Sequence, residues 1–215
     1  MYTIEDYSEV RKESWLRCRA LAYMRSAFND EITGEKENVP ASRGVSLVAI
    51  ADEQVVGIAE AIFLDLGKAE PATYRLADMT KLTALDTMAV HPDYQHQGIA
   101  KALLLALRAR LAKRGWVMVI YTLDDEPANG LYRTIGADLC YTASIAYGHN
   151  PHNHTPEWTS LRATPDHEMA VLDANGEEIP VSLNGESYYV GRKANLALLT
   201  DIERVATEHV YTLVL

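Results

Sequence analysis

Apolar and polar residues follow one another along the chain in blocks whose period changes from two to nearly four and back. Positions 46–51 and 55–64 are apolar-rich runs on either side of Asp52-Glu53-Gln54, and they read as two strands of a meander. Positions 82–90 carry a further strand pattern. Over 98–114 the period lengthens: Ile99, Leu103, Leu107 and Leu111 recur every four residues, while Lys101, Arg108, Lys113 and Arg114 fall elsewhere. This spacing predicts a helix, closed by Gly115 as a left-handed stop. Positions 116–123 are then almost continuously apolar, as expected of a strand buried on both faces. Strand, helix and strand in this order form a right-handed βαβ unit.

The flanks are less regular. Positions 1–4 read as a short edge strand, and Asp6-Tyr7-Ser8-Glu9 has the spacing of a capping box. A helix is predicted to follow through Val10, Leu16, Leu21 and Met24, with Arg11, Lys12, Glu13 and Arg17 solvated. Positions 29–43 read as loop or a short second helix, and 65–80 break the pattern again. Positions 126–135 predict a short helix stopped by Gly136, and 138–147 another strand. Beyond lies a loop with His149, His152 and His154, then apolar triplets at 170–172 and 179–181 around an Asn175-Gly176 hairpin turn. Helical spacing over 194–206 and a final strand over 210–215 complete the reading. The fold class is mixed α/β (α+β).

Composition narrows the classes. A chain of 215 residues, 48% apolar, is long enough for one domain with an elaboration. No run approaches the roughly 18 apolar residues of a membrane span. The beginning, Met1-Tyr2-Thr3-Ile4-Glu5-Asp6, is acidic at once and lacks a leader pattern, so a cytoplasmic location and no membrane partner are expected. Cys18 and Cys140 lie far apart in apolar surroundings and read as buried thiols. A net charge of −10 argues against nucleic acid as a partner and permits a cationic substrate.

Chemistry concentrates in Asp86-Thr87-Met88-Ala89-Val90-His91-Pro92-Asp93-Tyr94-Gln95-His96-Gln97-Gly98-Ile99-Ala100-Lys101. A strand ends, Pro92 breaks it, and a tight loop feeds a helix. Unpaired N–H groups and the helix dipole converge there, which suits a phosphate or pyrophosphate. Gly98 and, less completely, Ala100 leave room for a ligand against the backbone, and Lys101 adds a cation. The loop lacks the Gly-Lys-Ser/Thr ending of a P-loop and the G-x-G-x-x-G of a dinucleotide site. On the glycine alone, an ordinary strand-to-helix turn is as good a reading.

Gln95, Gly98 and Ala100 match the Gln/Arg-x-x-Gly-x-Gly/Ala motif of the GNAT superfamily of N-acetyltransferases, which the sequence resembles. The family's second motif, Asn-x-x-Ala-x-x-Leu-Tyr-x-x-x-Gly-Phe, is met by Ala128, Leu131, Tyr132 and Gly136, with Asp125 at the Asn position and Ala137 at the Phe position. The resemblance covers about 1–147 and the last strand. It implies a mostly antiparallel twisted sheet flanked by helices, with the fourth and fifth strands splayed around acetyl-coenzyme A. Met88, Ala89 and Val90 would then run along the pantetheine, and Gln95, His96, Gln97, Gly98, Ile99, Ala100 and Lys101 would surround the pyrophosphate. Asp125 and Ala128 complete the implied cofactor set.

The resemblance also implies a reaction with an amine acceptor. Tyr132 matches the family's proton donor, and Asp86 stands where several members place a base. Burial of such an acid in an apolar strand favours its neutral form. Glu60, on the neighbouring strand, is a rival base, and His91 and His96 read as solvated loop residues. A backbone N–H near Val90 would serve the oxyanion. Neither cysteine lies in the motifs, which argues against a covalent acetyl-enzyme. No metal is expected: the histidine loop has no nearby cysteine to complete a zinc set. Residues 148–208 read as an insertion between the last two strands, or 150–215 as a small C-terminal module. The segment Trp15-Leu16-Arg17-Cys18-Arg19 is similar to one in a bacterial branch of the family. A homodimer is compatible with the resemblance. The departures at Asp125 and Ala137 leave a second class open, a coenzyme A-binding sensor without catalysis.

Overall fold

The computed structural model describes residues 1–24, 26, 34–64, 82–112, 117–151 and 156–215. Its elements begin with β1 (Thr3–Asp6), α1 (Lys12–Tyr23), β2 (Gly44–Ala51), β3 (Gln54–Leu64), β4 (Leu82–Val90), α2 (Ile99–Leu111), β5 (Val117–Thr122), α3 (Glu126–Thr134) and β6 (Asp138–His149). They continue with β7 (Ser160–Ala163), β8 (Met169–Leu172), β9 (Glu178–Ile179), β10 (Val181–Asn184), β11 (Ser187–Val190) and β12 (Thr200–Val214). The main sheet has nine strands in the order β1-β2-β3-β4-β5-β12-β6-β11-β10. Among the described strands of this sheet, β4 and β5 pair in parallel and the other neighbours are antiparallel. The strands β7, β8 and β9 form a separate small sheet.

Period-two alternation explains the layers. Leu47, Ala49, Ala59 and Ala61 point to one face and pack on Ile99, Leu103, Leu107 and Leu111 of α2. Val48, Ile50, Ile58 and Ala89 point to the other and pack on Trp15 and Cys18 of α1. The turn from β2 to β3 puts Asp52 and Glu53 at φ 48° and 62°, a twist-matched two-residue hairpin. At Gly57 of β3 a methyl group would stand 2.7 Å from Ile99 Cγ2 and 3.0 Å from Leu103 Cδ1. Glycine is what lets the start of α2 lie so close to the sheet.

Three expectations give way. Asp6 is not a helix cap: it ends β1, and its carboxylate receives Arg110 Nη1 at 2.6 Å. The chain enters α1 through a 3₁₀ turn, Glu9–Arg11, whose preceding Ser8 makes no side-chain cap bond. The apolar stripe of α1 is also differently phased. Val10 is 87% exposed and Met24 69%, because both flank the α-helix; Trp15 and Cys18 form its buried side. The helical spacing over 194–206 yields instead a 3₁₀ turn, Lys193–Leu198, followed by β12, which starts ten residues before the strand expected at 210–215. Pairing with β6 from His149↔Thr200 to Asp138↔Thr212 overrides the local preference.

The Asn175-Gly176 turn forms as expected between β8 and β9, with Gly176 at φ 79° and the Asp173 carboxylate receiving the N–H groups of Asn175 and Glu177. Pro180 and Val181 leave that hairpin for the main sheet. After His149 the chain forms the small sheet, returns to the main sheet at its far edge through β10 and β11, and pairs with β6 again along β12 from Thr200. The small sheet packs Leu161, Met169, Val171 and Ile179 onto Tyr141, Ala143, Tyr189 and Val210, on the face that α1 shares. Both cysteines are free thiols, Cys18 buried and Cys140 half-buried. Lys113, Arg114, Gly115, Trp116, His152, His154, and the breaks read within 29–33 and 65–80 lie outside the described residues. Among the described residues no helix is long and apolar enough to cross a membrane.

Candidate active site

The strands β4 and β5 pair only through Leu82↔Val117, Thr83↔Met118 and Ala84↔Val119. Beyond that point β4 keeps its pairing with β3 on one edge, while its other edge faces the gap toward β5. A β-bulge supports the divergence: Glu60 pairs with Thr87 and Ala61 with Leu85, so Asp86 is the extra residue. The gap widens into a cleft of about 590 Å³. Ala22 and Tyr23 of α1 line it from one face of the sheet; Ile99, Ala100 and Lys101 of α2 and Ala128, Leu131 and Tyr132 of α3 line it from the other. It is a slot through the sheet. Met88, Ala89 and Val90 form its β4 wall, and Gln95, His96, Gly98 and Asp125 its rim.

The loop from β4 to α2 is held by backbone bonds. The His91 N–H donates to Val56 O at 2.9 Å, and the Tyr94 N–H to His91 O at 2.9 Å. His91 Nδ1 accepts from the Asp93 N–H at 3.2 Å, and Gln95 Nε2 donates to Val90 O at 3.3 Å. His96 and Gly98 take left-handed φ of 61° and 79°. This turn aims the first N–H groups of α2 into the cleft mouth, where they lack intrahelical acceptors. Beyond its own chain neighbours, no atom of the described residues lies within 4 Å of where a Gly98 Cβ would be, so the space over this turn is open.

Asp125 accounts for its own departure from the family motif. It caps α3, accepting the Ala128 N–H at 3.1 Å, a task that needs only an acceptor oxygen. The amide of buried Asn129 donates to Leu123 O and Asp125 O, both at 2.9 Å, and so fixes the end of β5 to the start of α3. Tyr132 is 5% exposed. Burial, then the neighbouring Tyr23 and Asp125, push its phenol well up, so it keeps its proton at neutral pH. The Tyr211 ring lies 5.9 Å away, centroid to centroid.

Two expected site residues stand apart. The Gln97 side chain turns back to donate to Asp93 O at 3.4 Å and is not in the cleft lining. Asp86 is exposed, so the desolvation expected for it is absent; it accepts from Thr87 Oγ1 at 3.1 Å and is also outside the lining. Glu60 is buried but committed. Lys36 Nζ meets its carboxylate at 2.7 Å and Ser46 donates to the same oxygen, while the Lys36 ammonium stands 4.2 Å from the Tyr7 ring centroid and 4.8 Å from that of Trp15. No group of metal-ligating side chains occurs among the described residues. Sequence reading missed Tyr23, whose hydroxyl donates to Met88 O at 3.3 Å. Its position eight residues after Trp15, on the same side of α1, was the available signal.

Comparison with known proteins agrees with this geometry. The model of the acetyltransferase (GNAT) family matches residues 4–137. The chain therefore belongs to the GNAT acetyltransferase family and is an acyltransferase. Similar solved structures include the ribosomal-protein-S18-alanine N-acetyltransferase of Escherichia coli, at 18% identity and TM-score 0.53, covering 100% of this chain and 94% of that one. Arabidopsis thaliana NAA60 in complex with a bisubstrate analogue is 12% identical with TM-score 0.56, covering 100% and 98%. The PaiA N-acetyltransferase of Thermoplasma acidophilum, in complex with coenzyme A, is 18% identical with TM-score 0.52, covering 65% and 91%. These likenesses bear out the mixed, mostly antiparallel fold. No curated protein sequence matches the chain.

Proposed function

We propose that the chain transfers the acetyl group of acetyl-coenzyme A to the primary amine of a small molecule or peptide, by direct attack in a ternary complex. The observation that carries this reading is the slot between β4 and β5, lined from both faces of the sheet and walled by the neutral phenol of Tyr132. The residues present fit the cosubstrate. The gap-facing edge of Met88, Ala89 and Val90, where Met88 O accepts from Tyr23 and Val90 O from Gln95, offers its backbone N–H groups to the pantetheine. The turn through Gln95, His96 and Gly98 presents the N–H groups of Ile99, Ala100 and Lys101 to the pyrophosphate. Gln97 shapes this turn, and Asp125 with Ala128 closes the rim at the α3 end.

An alkyl ammonium, with a pKa near ~10.4, must lose a proton before it attacks. Asp86, exposed on the bulge of β4 and outside the cleft lining, is the proposed acceptor of that proton, through water. The amine nitrogen then forms a bond to the acetyl carbon, a backbone N–H near Val90 stabilises the oxyanion, and the carbon–sulfur bond breaks. Tyr132 gives its proton to the departing thiolate and regains one from the nitrogen, whose surplus proton thereby leaves as the amide forms. The stretch 148–208 is read as an insertion within a single acetyltransferase domain.

The test is thiol release from acetyl-coenzyme A across a panel of primary amines. Replacing Tyr132 by Phe is expected to lower kcat by about 100-fold, within the usual range for a general acid, and to leave acetyl-coenzyme A affinity unchanged. An equally active Phe variant would remove the phenol from the mechanism.

A further inference from the structure

The far end of the slot opens on the α1 face, where several polar groups remain outside the cleft lining. Tyr121, Val210 and Tyr141 stand side by side across β5, β12 and β6 on that face. Glu208 lies two residues before Val210 and so points the same way, diagonal to Tyr141. It stands just past the His209↔Thr122 pair, the last that β12 makes with β5, where the chain turns into 123–125 at the cleft rim. His209, facing the opposite side, meets Asp124 of that turn at 2.7 Å. Neighbouring strands are about 4.8 Å apart, so the strand carrying Glu208 lies one strand beyond β5, on the side of β5 away from the gap.

Two of these groups lack partners. Glu208 is 9% exposed, and its Oε2 has no hydrogen bond among the described residues. Tyr141 is fully buried, and its hydroxyl has none either. Leu161, Met169 and Val171 of the small sheet pack into the same cluster, so the segment between β6 and β12 helps keep the site dry. A buried carboxyl with no cation or donor among the described residues is a standing cost, which a bound ligand would offset. Burial pushes Glu208 up to about 7, close enough to neutrality for a cation to hold it ionised.

The same sheet face already contains the filled counterpart. Around Glu60, a carboxylate, the Ser46 hydroxyl and two aromatic rings hold the Lys36 ammonium. Glu208, Tyr141 and Tyr121 repeat that set of groups, carboxylate, hydroxyl and aromatic ring, with no lysine paired to Glu208 Oε2 or the Tyr141 hydroxyl among the described residues. An ammonium, with three N–H donors and no acceptor, matches such a set.

We infer that Glu208, with the Tyr141 hydroxyl beside it, is the recognition group for the acceptor, binding the ammonium of a cationic primary amine that enters on the α1 face. The inference rests on the acetyl-transfer reading and deepens it: the acceptor is cationic, and its charge is read on β12, not in the motif loop.

The experiment uses the full chain with Glu208→Gln and Glu208→Leu. Thiol release is measured with benzylamine, spermidine and an alanine-initiated tetrapeptide, acetyl-coenzyme A affinity by calorimetry, and folding by thermal unfolding. The expected result is a KM for the amine raised by about ten-fold or more, as for loss of one charged contact, with kcat and acetyl-coenzyme A affinity near wild type. The unfolding midpoint should be equal or higher. An unchanged amine KM would overturn the assignment, as would a lower midpoint with weakened acetyl-coenzyme A binding, which marks a structural role. Wild type that binds acetyl-coenzyme A but acetylates none of the three amines would also overturn it. Wild type that does not bind acetyl-coenzyme A would instead sink the transfer reading beneath it.

Discussion

Glu60 and Glu208 are buried glutamates on one face of one sheet, and their neighbours give them opposite behaviour. Lys36 and Ser46 satisfy the first. Desolvation alone acts on the second and raises it from 4.5 to about 7. Glu208 therefore holds its proton in the folded state over a pH range in which the unfolded chain has released it. Between about pH 4.5 and 7 the folded state binds more protons, so this residue's contribution falls as pH rises and levels off above 7. Its full cost at alkaline pH is about 3 kcal/mol on an order-of-magnitude scale. In denaturant melts, Glu208→Gln should match wild type near pH 4.5 and exceed it in stability by a growing margin up to pH 8. A constant difference across that range would show that the carboxyl is solvated or paired. Much of the cleft was legible at this scale. Gln95, Gly98, Ala100 and Tyr132 belong to short motifs whose local geometry is set by their own neighbours. Glu208 was not legible, because only pairing with β5 and β6 reveals which way it faces.

At the level of elements, α2 was the clearest reading in the sequence. Ile99, Leu103, Leu107 and Leu111 form its buried stripe as spaced. The βαβ unit followed from its flanking strands. The stripe of α1 was misread because Val10 belongs to a 3₁₀ turn and Met24 lies past the helix end. The spacing over 194–206 suits a helix, but the 12-residue β6 supplies a distant strand partner, and Thr200–Val214 pairs with it as β12. The packing of α2 on β3 carries its own test. Gly57→Ala would press a methyl on the branched Ile99 side chain, at the first residue of the helix whose N–H groups line the cleft. The cost should be about 1–3 kcal/mol in urea unfolding, as for other overpacked cores, together with weaker acetyl-coenzyme A binding. A variant with wild-type stability and affinity would show that the close approach does not position the loop.

For the whole molecule, the sheet order puts the parallel pair β4 and β5 among antiparallel neighbours, and the gap between them becomes a passage from the α2 and α3 face to the α1 face. The turn proposed for the diphosphate lies at one mouth, and Glu208 and Tyr141, without hydrogen-bond partners for Oε2 and the hydroxyl among the described residues, lie near the other. The net charge of −10 is consistent with attraction of a cationic acceptor. The central claim is that the turn at Gly98 receives the diphosphate of acetyl-coenzyme A. Calorimetric titration of wild type, Gly98→Ala and Gly98→Glu tests it most directly. Gly98→Ala carries the strain of a φ of 79° without a charge, and Gly98→Glu adds an anion in the open space over the turn. Saturable binding by wild type, modestly weakened in the alanine variant and reduced by about 100-fold or more in the glutamate variant, is the predicted outcome. Equal affinity in all three folded proteins, or no binding by wild type, would contradict it.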